Sequence, residues 1–292
     1  MLDSDRVQQA QLAALASKTF WGQRLEINLQ DASLAANLHL PPPQLIGHNS
    51  VPVPVVIMLH GLGGNRHEAS GNFIKAAATF ALRRFVVLRF DFRGSGETGG
   101  TTSSITLAKQ VEDTGHVIDF VKQDLAGISD MPALDHSKLT LLGLSMGGLT
   151  AAAVSGRRED VHSLVLWQPP FDLTQTMARL FGPLSTTKVR ARGYFQAGML
   201  ELSEEFFTCL ENFSIAREVR SFDGPVLIVN GKKDTVVPPE TAKQWMEAFQ
   251  KADLRVSMID GADHAFTQDT WAWQAIGQTA LWLEDKIQRQ RI

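Results

Sequence analysis

The chain has 292 residues, of which 44% are hydrophobic and 20% are charged, so it can bury a large core and is not expected to be disordered. The formal net charge is −3 and no basic run stands out, which disfavours nucleic acid as a partner. The only cysteine, Cys209, excludes an internal disulfide and a cysteine metal cluster, and we interpret it as a buried apolar residue.

The N-terminal part predicts an arm followed by two antiparallel strands. Residues 1–22 include a helix-forming segment at 7–17 and lack the apolar stretch of a secretory signal. Residues 23–29 and 34–40 alternate apolar and polar side chains around a polar turn, which is typical of a hairpin. No stretch approaches the roughly 18 apolar residues of a membrane span, so we expect a cytoplasmic protein without stable membrane insertion.

The following part of the chain alternates apolar runs with helical segments. Buried strands are predicted at residues 53–59, 85–90, 139–144, 161–167, 225–229 and 254–259. Helices are predicted at residues 68–82, 106–124, 149–154, 239–251 and 271–288. This alternation indicates right-handed βα units, and therefore an α/β fold with a mostly parallel, eight-stranded sheet and helices on both faces. The chemistry of such sheets collects at the carboxyl ends of the strands.

The alternation stops at Phe171. Residues 171–218 are rich in aromatic and other large apolar residues but contain no strong strand pattern. We interpret them as an inserted, mainly helical cap, whose apolar residues form a small core and in part roof an apolar pocket. The α/β core then consists of residues 23–170 and 219–292.

A serine between glycines follows the predicted strand at 139–144. Gly143, Ser145 and Gly147 form the pattern G-x-S-x-G, which predicts a strained turn from strand to helix with the serine at its apex. A Cβ at either glycine would clash because strand and helix pass close together. The turn exposes the hydroxyl and leaves the Met146 amide free at a helix N-terminus. Ser145 is therefore the candidate nucleophile.

A serine nucleophile needs a base and an orienting carboxylate. His264 follows the last strand and Asp234 follows the strand at 225–229, so both lie where a parallel sheet collects its chemistry. The chain order serine, acid, histidine is that of α/β hydrolases. Asp260 and Asp263 are the rival acids; Asp263 adjoins His264, so its side chain is poorly placed to face the imidazole. We predict His264 as base and Asp234 as acid.

Two backbone amides are predicted to stabilise the oxyanion of the tetrahedral intermediate. One is the amide of Met146, and the other is the amide of Leu62, in a glycine-rich loop after the strand at 53–59. That loop lacks the lysine and serine or threonine of a phosphate-binding loop. No histidine and carboxylate set has metal-ligand spacing, and the turn at Asp91–Gly96 is interpreted as structural. Six further residues are candidate substrate contacts: His60, Gly61, Trp167, Gln168, Phe171 and Val236.

The motifs together resemble the α/β-hydrolase superfamily over nearly the whole chain except the first twenty or so residues and the cap. The resemblance rests on five segments: His60-Gly61-Leu62-Gly63-Gly64, Asp91-Phe92-Arg93-Gly94-Ser95-Gly96, Gly143-Leu144-Ser145-Met146-Gly147-Gly148, Gly231-Lys232-Lys233-Asp234 and Gly261-Ala262-Asp263-His264. Residues 60–68 and 90–100 look like bacterial feruloyl (cinnamoyl) esterases, although Arg93-Gly94-Ser95 stands where those often carry Asn-Gly-His. The elbow also looks like bacterial monoacylglycerol lipases and short-chain carboxylesterases.

The resemblance implies a cofactor-free serine esterase that forms an acyl-enzyme on a small-molecule ester with a small apolar or aromatic acyl group. The alternatives on the same triad are a C–C bond hydrolase, an amidase, a thioesterase and an acyltransferase. A catalytically inactive hydrolase-like binding protein is the alternative from another class, although no triad member is missing. Either a monomer or a homodimer is expected. Dehalogenases and typical epoxide hydrolases are disfavoured because they carry aspartate at the position of Ser145.

Overall fold

The apolar runs of the sequence form the strands of one large sheet in the computed structural model, which describes residues 18–46, 51–128, 131–182, 189, 192–211 and 213–288. The strands of these residues are β1 Gln23–Asn28, β2 Ser33–His39, β3 Val53–Leu59, β4 Val86–Phe90, β5 Leu134–Leu144, β6 Ser163–Trp167, β7 Tyr194–Ala197, β8 Leu200–Ser203, β9 Pro225–Gly231 and β10 Asp253–Ile259. The helix predicted at residues 7–17 lies outside the described residues.

Helices connect these strands. In the described residues they are α1 Lys18–Trp21, α2 Pro43–Ile46, α3 Asn72–Ala81, α4 Leu107–Gln123, α5 Met146–Ser155, α6 Leu173–Phe181, α7 Glu204–Glu211, α8 Ile215–Glu218, α9 Thr241–Ala248 and α10 Asp269–Leu283. One-turn 3₁₀ helices occur at Ala69–Gly71, Thr102–Ser104, Leu125–Gly127 and Val219–Ser221, and a π-helical turn at Glu284–Gln288 extends α10. Within the same residues, no helix is both long enough and apolar enough to cross a lipid bilayer.

The main sheet has eight strands in the order β1-β2-β4-β3-β5-β6-β9-β10. The pairs β1–β2 and β2–β4 are antiparallel, and the other neighbours are parallel. This confirms the predicted fold class. Every residue of β3, β4 and β6 is buried because helices cover both faces of the sheet, which explains why these strands read as continuous apolar runs.

Alternate side chains of one strand enter different cores. In β6, Leu164 and Leu166 pack into the core that contains α5, whereas Val165 and Trp167 pack into the core that contains α3 and α10. All ten residues of α5 are buried, so this helix is enclosed by its neighbours. The helix that begins directly after the half-buried Ser145 is therefore held by packing along its whole length.

The cap differs from the sequence prediction in one respect. Residues 171–218 contain α6, α7 and α8, as expected of a mainly helical insertion, but also the antiparallel hairpin β7–β8. The hairpin was missed because its strands have only four residues each. Gly198, at a φ of 60°, closes it as the first residue of a two-residue turn, a position that favours glycine.

Candidate active site

Ser145 lies between β5 and α5 with a φ of 53° and a ψ of −123°, a strained conformation for a residue with a side chain. A Cβ at Gly143 would lie 2.2 Å from the carbonyl oxygen of Gly147, and one at Gly147 would lie 2.2 Å from that of Leu59. Neither position has room for a side chain because the strand and the helix touch there. The Ser145 amide donates to the Trp167 carbonyl oxygen at 2.8 Å and so ties the turn to β6.

The structure brings the three predicted triad side chains into one hydrogen-bonded chain. His264 Nε2 lies 2.9 Å from Ser145 Oγ, and His264 Nδ1 lies 2.7 Å from Asp234 Oδ2. Since the carboxylate can only accept, Nδ1–H donates to it and Nε2 remains to accept the serine proton. The three residues come from the loops after β5, β9 and β10.

The carboxylate of Asp234 is held on both oxygens. Its Oδ1 accepts the amides of Val236 and Val237, each at 2.8 Å, while Oδ2 faces the imidazole. The side chain of Asp234 is fully buried, so these bonds fix its orientation. Asp263 instead accepts the Thr267 amide at 2.9 Å and stabilises its own loop, in line with its rejection as the acid.

Gln168 has a different place from the one predicted. Its side chain is fully buried, and its backbone has a φ of 51°. Its Oε1 accepts the Gly231 amide at 2.9 Å and its Nε2 donates to the Asp263 carbonyl oxygen at 2.8 Å. One amide group thus bridges the loop that carries Asp234 and the loop that carries His264.

His60 and Trp167, which were also predicted as substrate contacts, have their side chains inside the protein. The His60 ring is fully buried: Nδ1–H donates to the Gly61 carbonyl oxygen at 2.8 Å, and Nε2 accepts the Phe92 amide at 3.1 Å. Burial lowers the pKa of His60, which keeps it neutral. The Trp167 indole donates to the Thr279 hydroxyl at 3.0 Å and packs in the core next to α10. Both side chains support the fold.

The other candidate substrate contacts stay predictions. Gly61 is buried beside the nucleophile, since a Cβ built there would lie 3.3 Å from Ser145 Cβ. Val236 is half-buried on the loop of Asp234. Phe171 is half-buried and lines a cavity of about 710 Å³ within the cap. That cavity is lined further by Met177, Phe207, Leu210 and other cap residues, and not by a triad residue.

The amides of Leu62 and Met146 lie on the two loops that flank Ser145. Leu62 follows Gly61 after β3, and Met146 is the first residue of α5. Among the described residues, neither amide donates a hydrogen bond within the chain. Both are therefore free to donate to an oxygen bound between these loops, as an oxyanion hole requires.

Glu68 is a site residue that the sequence analysis missed. Its Oε1 accepts the Gly61 amide at 2.6 Å. Its backbone has a φ of 57° and a ψ of 173°, a region that residues with side chains rarely enter. Burial raises the pKa of the Glu68 carboxyl, and the nearby His264 opposes that rise. Nothing in the sequence pattern around Glu68 marks it, because its partner is a backbone amide.

A buried ionic cluster fixes the loop of residues 60–68 to the end of β4. Asp91 accepts the Arg66 amide at 2.6 Å and also contacts the Arg66 guanidinium. Arg89 donates to the Arg66 carbonyl oxygen at 2.6 Å, and burial lowers the pKa of Arg89 to about 9. Arg93 pairs with Asp113 at 2.6 Å. The turn after β4 is thus structural, as its sequence indicated.

The arrangement can perform nucleophilic acyl transfer, because it offers a hydroxyl, a base, an orienting acid and free amides at one edge of the sheet. In the part of the chain that the structure describes, no three histidine, cysteine or carboxylate side chains converge as metal ligands do.

Three known proteins are similar to this chain in sequence or in structure. A Pseudomonas aeruginosa protein, named Uncharacterized protein PA2218, is 27% identical over 175 residues, which cover 59% of this chain and 42% of that one. The human palmitoyl-protein thioesterase ABHD10, mitochondrial, is 26% identical over 185 residues, or 61% of this chain and 56% of the relative. The matched region spans about half the length of these curated relatives. A structure of Est1E from Butyrivibrio proteoclasticus with ferulic acid bound has a TM-score of 0.76 at 19% identity, covering 91% of this chain and 100% of that chain.

The strongest sequence-level assignment is to a family. The profile described as the prolyl oligopeptidase family matches residues 72–290, a range that contains all three triad positions. The likeness to Est1E shows the same fold and confirms the resemblance to α/β hydrolases that the motifs indicated. The chain belongs to the prolyl oligopeptidase family and has the α/β-hydrolase fold.

Proposed function

We propose that the protein is a serine hydrolase that cleaves carboxylic esters through an acyl-enzyme intermediate. The observation that carries the proposal is the continuous chain from Ser145 Oγ through His264 to Asp234, with hydrogen bonds of 2.9 and 2.7 Å. A hydroxyl is a weak nucleophile at neutral pH, and this chain provides the base that removes its proton. Membership of a family of hydrolases with the same fold supports the assignment.

The reaction takes place in two halves. Ser145 Oγ attacks the ester carbonyl while His264 Nε2 takes its proton, and Asp234 stabilises the imidazolium that forms. His264 then returns the proton to the leaving alcohol, and an ester of Ser145 remains. Water attacks this ester with His264 again acting as base, which releases the acid and restores the serine hydroxyl.

In the proposed mechanism, the Leu62 and Met146 amides donate to the developing oxyanion. Each donor acts most strongly in the transition state, where the carbonyl oxygen carries its charge. The absence of other acceptors for these two amides among the described residues supports this assignment. Met146 also begins α5, so its amide lies at the positive end of a helix dipole.

The substrate class we propose is an ester with a small apolar or aromatic acyl group. The likeness to Est1E, whose structure contains ferulic acid, supports an aromatic acid. Thioester hydrolysis is the second candidate, because a curated relative at 26% identity is named a palmitoyl-protein thioesterase. Both reactions pass through an acyl-enzyme on Ser145, and for a given acyl group they differ only in the leaving group.

Labelling with a fluorophosphonate probe and substitution of the serine test the proposal together. The wild-type protein should be labelled and should hydrolyse p-nitrophenyl esters, and Ser145→Ala should lose labelling and at least about 10⁴-fold of kcat/KM with its fold intact. The control is Ser221→Ala, at an exposed serine, which should behave as wild type. Undiminished turnover by the Ser145 variant would overturn the mechanism. A panel with methyl ferulate, a monoacylglycerol and a palmitoyl thioester then ranks the substrate classes.

A further inference from the structure

We infer that Glu68 is a positioning residue for the oxyanion hole, which holds the Gly61 amide and so directs the Leu62 amide toward the substrate oxygen. The inference rests on the proposed function, since it assigns a task to a residue beside the same site. It goes beyond the triad, because Glu68 touches neither Ser145 nor His264 through a hydrogen bond that the structure shows.

Leu62 lies in a tight turn that follows β3. The Gly64 amide donates to the Gly61 carbonyl oxygen at 3.1 Å, so Leu62 and Gly63 are the central residues of a β-turn. Gly63 has a φ of 73°, which suits glycine at the third position of such a turn. The direction of the Leu62 amide therefore depends on how the Gly61 end of the turn is held.

Hydrogen bonds hold both the amide and the carbonyl group of Gly61. Glu68 Oε1 accepts the Gly61 amide at 2.6 Å, and the Gly61 carbonyl oxygen accepts from His60 Nδ1 at 2.8 Å as well as from Gly64. In a trans peptide the carbonyl of one residue and the amide of the next point in opposite directions. Fixing the Gly61 carbonyl thus fixes the Leu62 amide, and Glu68 holds the peptide on the other side of the same residue.

The Glu68 carboxyl lies close to both Gly61 and Gly64. A Cβ at Gly64 would lie 2.8 Å from Glu68 Oε1, and one at Gly61 would lie 3.6 Å from that oxygen and 3.3 Å from Ser145 Cβ. The carboxyl therefore fills the inside of the loop, directly behind the residue that adjoins the nucleophile. A side chain at 64 would displace the carboxyl oxygen, and one at 61 would crowd Ser145.

Glu68 occupies an energetically unfavourable position. Glu68 combines an unfavourable backbone conformation with a buried carboxyl whose pKa burial raises. Its backbone is anchored on both sides, since its amide donates to Asn65 at 3.0 Å and its carbonyl accepts from Gly71 at 3.1 Å. Strain and desolvation in one residue are typical of functional sites, where the surrounding structure holds a side chain in a demanding position.

Two conservative variants separate positioning from a purely electrostatic role. Glu68→Gln keeps an oxygen at the same reach and removes the charge, whereas Glu68→Asp keeps the charge and withdraws the oxygen by one methylene. Positioning predicts that Glu68→Gln stays within about threefold of wild type. It also predicts that Glu68→Asp loses roughly 10- to 100-fold in kcat, part of the 10²- to 10³-fold effect of a lost oxyanion donor.

The readouts are kcat and KM on a p-nitrophenyl ester and the inhibition constant of a trifluoromethyl ketone. The ketone forms a tetrahedral adduct with an oxyanion, so its affinity should fall with kcat in Glu68→Asp, while KM changes little. Thermal unfolding checks that both variants are folded. Glu247→Ala, at an exposed glutamate of α9, is the matched control and should leave all three readouts unchanged.

A Glu68→Asp variant with wild-type kcat and ketone affinity would overturn the inference, and so would a Glu68→Gln variant as impaired as Glu68→Asp. Either result is distinct from failure of the proposed function. If the proposed function failed, the wild-type protein would resist fluorophosphonate labelling and Ser145→Ala would keep its activity.

Discussion

Two regions of this molecule are held together in different ways: the loops at the carboxyl ends of the strands, and the cap of residues 171–218. In the loops, polar groups bond to one another across the sheet edge, as Asp234, His264 and Ser145 do at 2.7 and 2.9 Å. In the cap, apolar contacts hold short elements against the large core that contains α5, while Tyr194 is 45% and Met199 97% exposed.

The difference separates the chemistry from the choice of substrate. Hydrogen bonds are directional, so the loops fix atoms at the positions that proton transfer and oxyanion binding require. Apolar contacts are not directional, and the shape of a pocket lined by them changes with the size of its side chains. Substitutions in the loops should change the rate for every substrate, and substitutions in the cap should change the ranking of substrates.

The largest expected effect is that of Asp234, the proposed acid of the triad. Asp234→Asn should lower kcat/KM by about 10⁴-fold, because an amide can present its N–H₂ to Nδ1 and so favour the wrong tautomer of His264. Hydrolysis of p-nitrophenyl esters measures the loss, and circular dichroism checks the fold. All substrates of the panel should lose activity by a similar factor.

Asp263→Asn is the matched control for that substitution. Its carboxylate accepts from the backbone and the hydroxyl of Thr267, four residues away, and not from the imidazole. We expect less than about a tenfold change, because the Asp263 carbonyl oxygen keeps its hydrogen bond from Gln168. A larger loss in Asp263→Asn than in Asp234→Asn would exchange the roles of the two carboxylates.

The sequence predicted the parts of the site that depend on local backbone geometry or on position in the fold. The elbow at Ser145 was readable because its sterics require glycine at 143 and 147. His264 and Asp234 were readable because parallel strands place their carboxyl ends at one edge of the sheet. Each of these signals lies within a few residues of a strand end.

The sequence did not predict the supporting side chains. Gln168 reaches Gly231 across 63 residues, and both Gln168 and Glu68 depend on positive φ angles at residues other than glycine. No composition or periodicity signals such a bond. The cap hairpin was missed for a related reason, since four-residue strands give too short an alternation to distinguish from a helix or loop.

Gln168 gives the next largest expected effect. Gln168→Leu leaves the buried Gly231 amide without its partner, which should cost about 1–3 kcal/mol of stability, and it removes one of the two donors to the Asp263 carbonyl oxygen, which keeps the Phe266 amide. The loops of Asp234 and His264 would also shift relative to each other, and we expect a loss of roughly 10- to 100-fold in kcat. Chemical denaturation and kcat on folded protein measure the two effects separately.

Gln110→Leu is the matched control, because Gln110 is also a buried glutamine with one side-chain bond to a neighbouring element. Its partner Thr150 keeps a second bond, to the Met146 carbonyl oxygen. The control should therefore lose stability with kcat within about twofold of wild type. If both variants lost only stability, Gln168 would support the fold without aligning the triad.

The smallest expected effect tests the cap. Phe171 lines the cavity of about 710 Å³ and packs edge-to-face on Trp245, with ring centroids 5.2 Å apart. Phe171 is a predicted substrate contact, so Phe171→Ala should lower kcat/KM for p-nitrophenyl esters with longer acyl chains roughly threefold to tenfold relative to the acetate ester. Loss of the ring pair should also lower stability by about 0.5–1.5 kcal/mol, in addition to the cost of the apolar area that is no longer buried. Leu180→Ala, at a 44% exposed cap residue, should leave the chain-length profile unchanged.

A Phe171→Ala profile identical to that of wild type would remove Phe171 from the acyl pocket. A uniform loss for all chain lengths would mean that cap packing, like the loops, sets the rate.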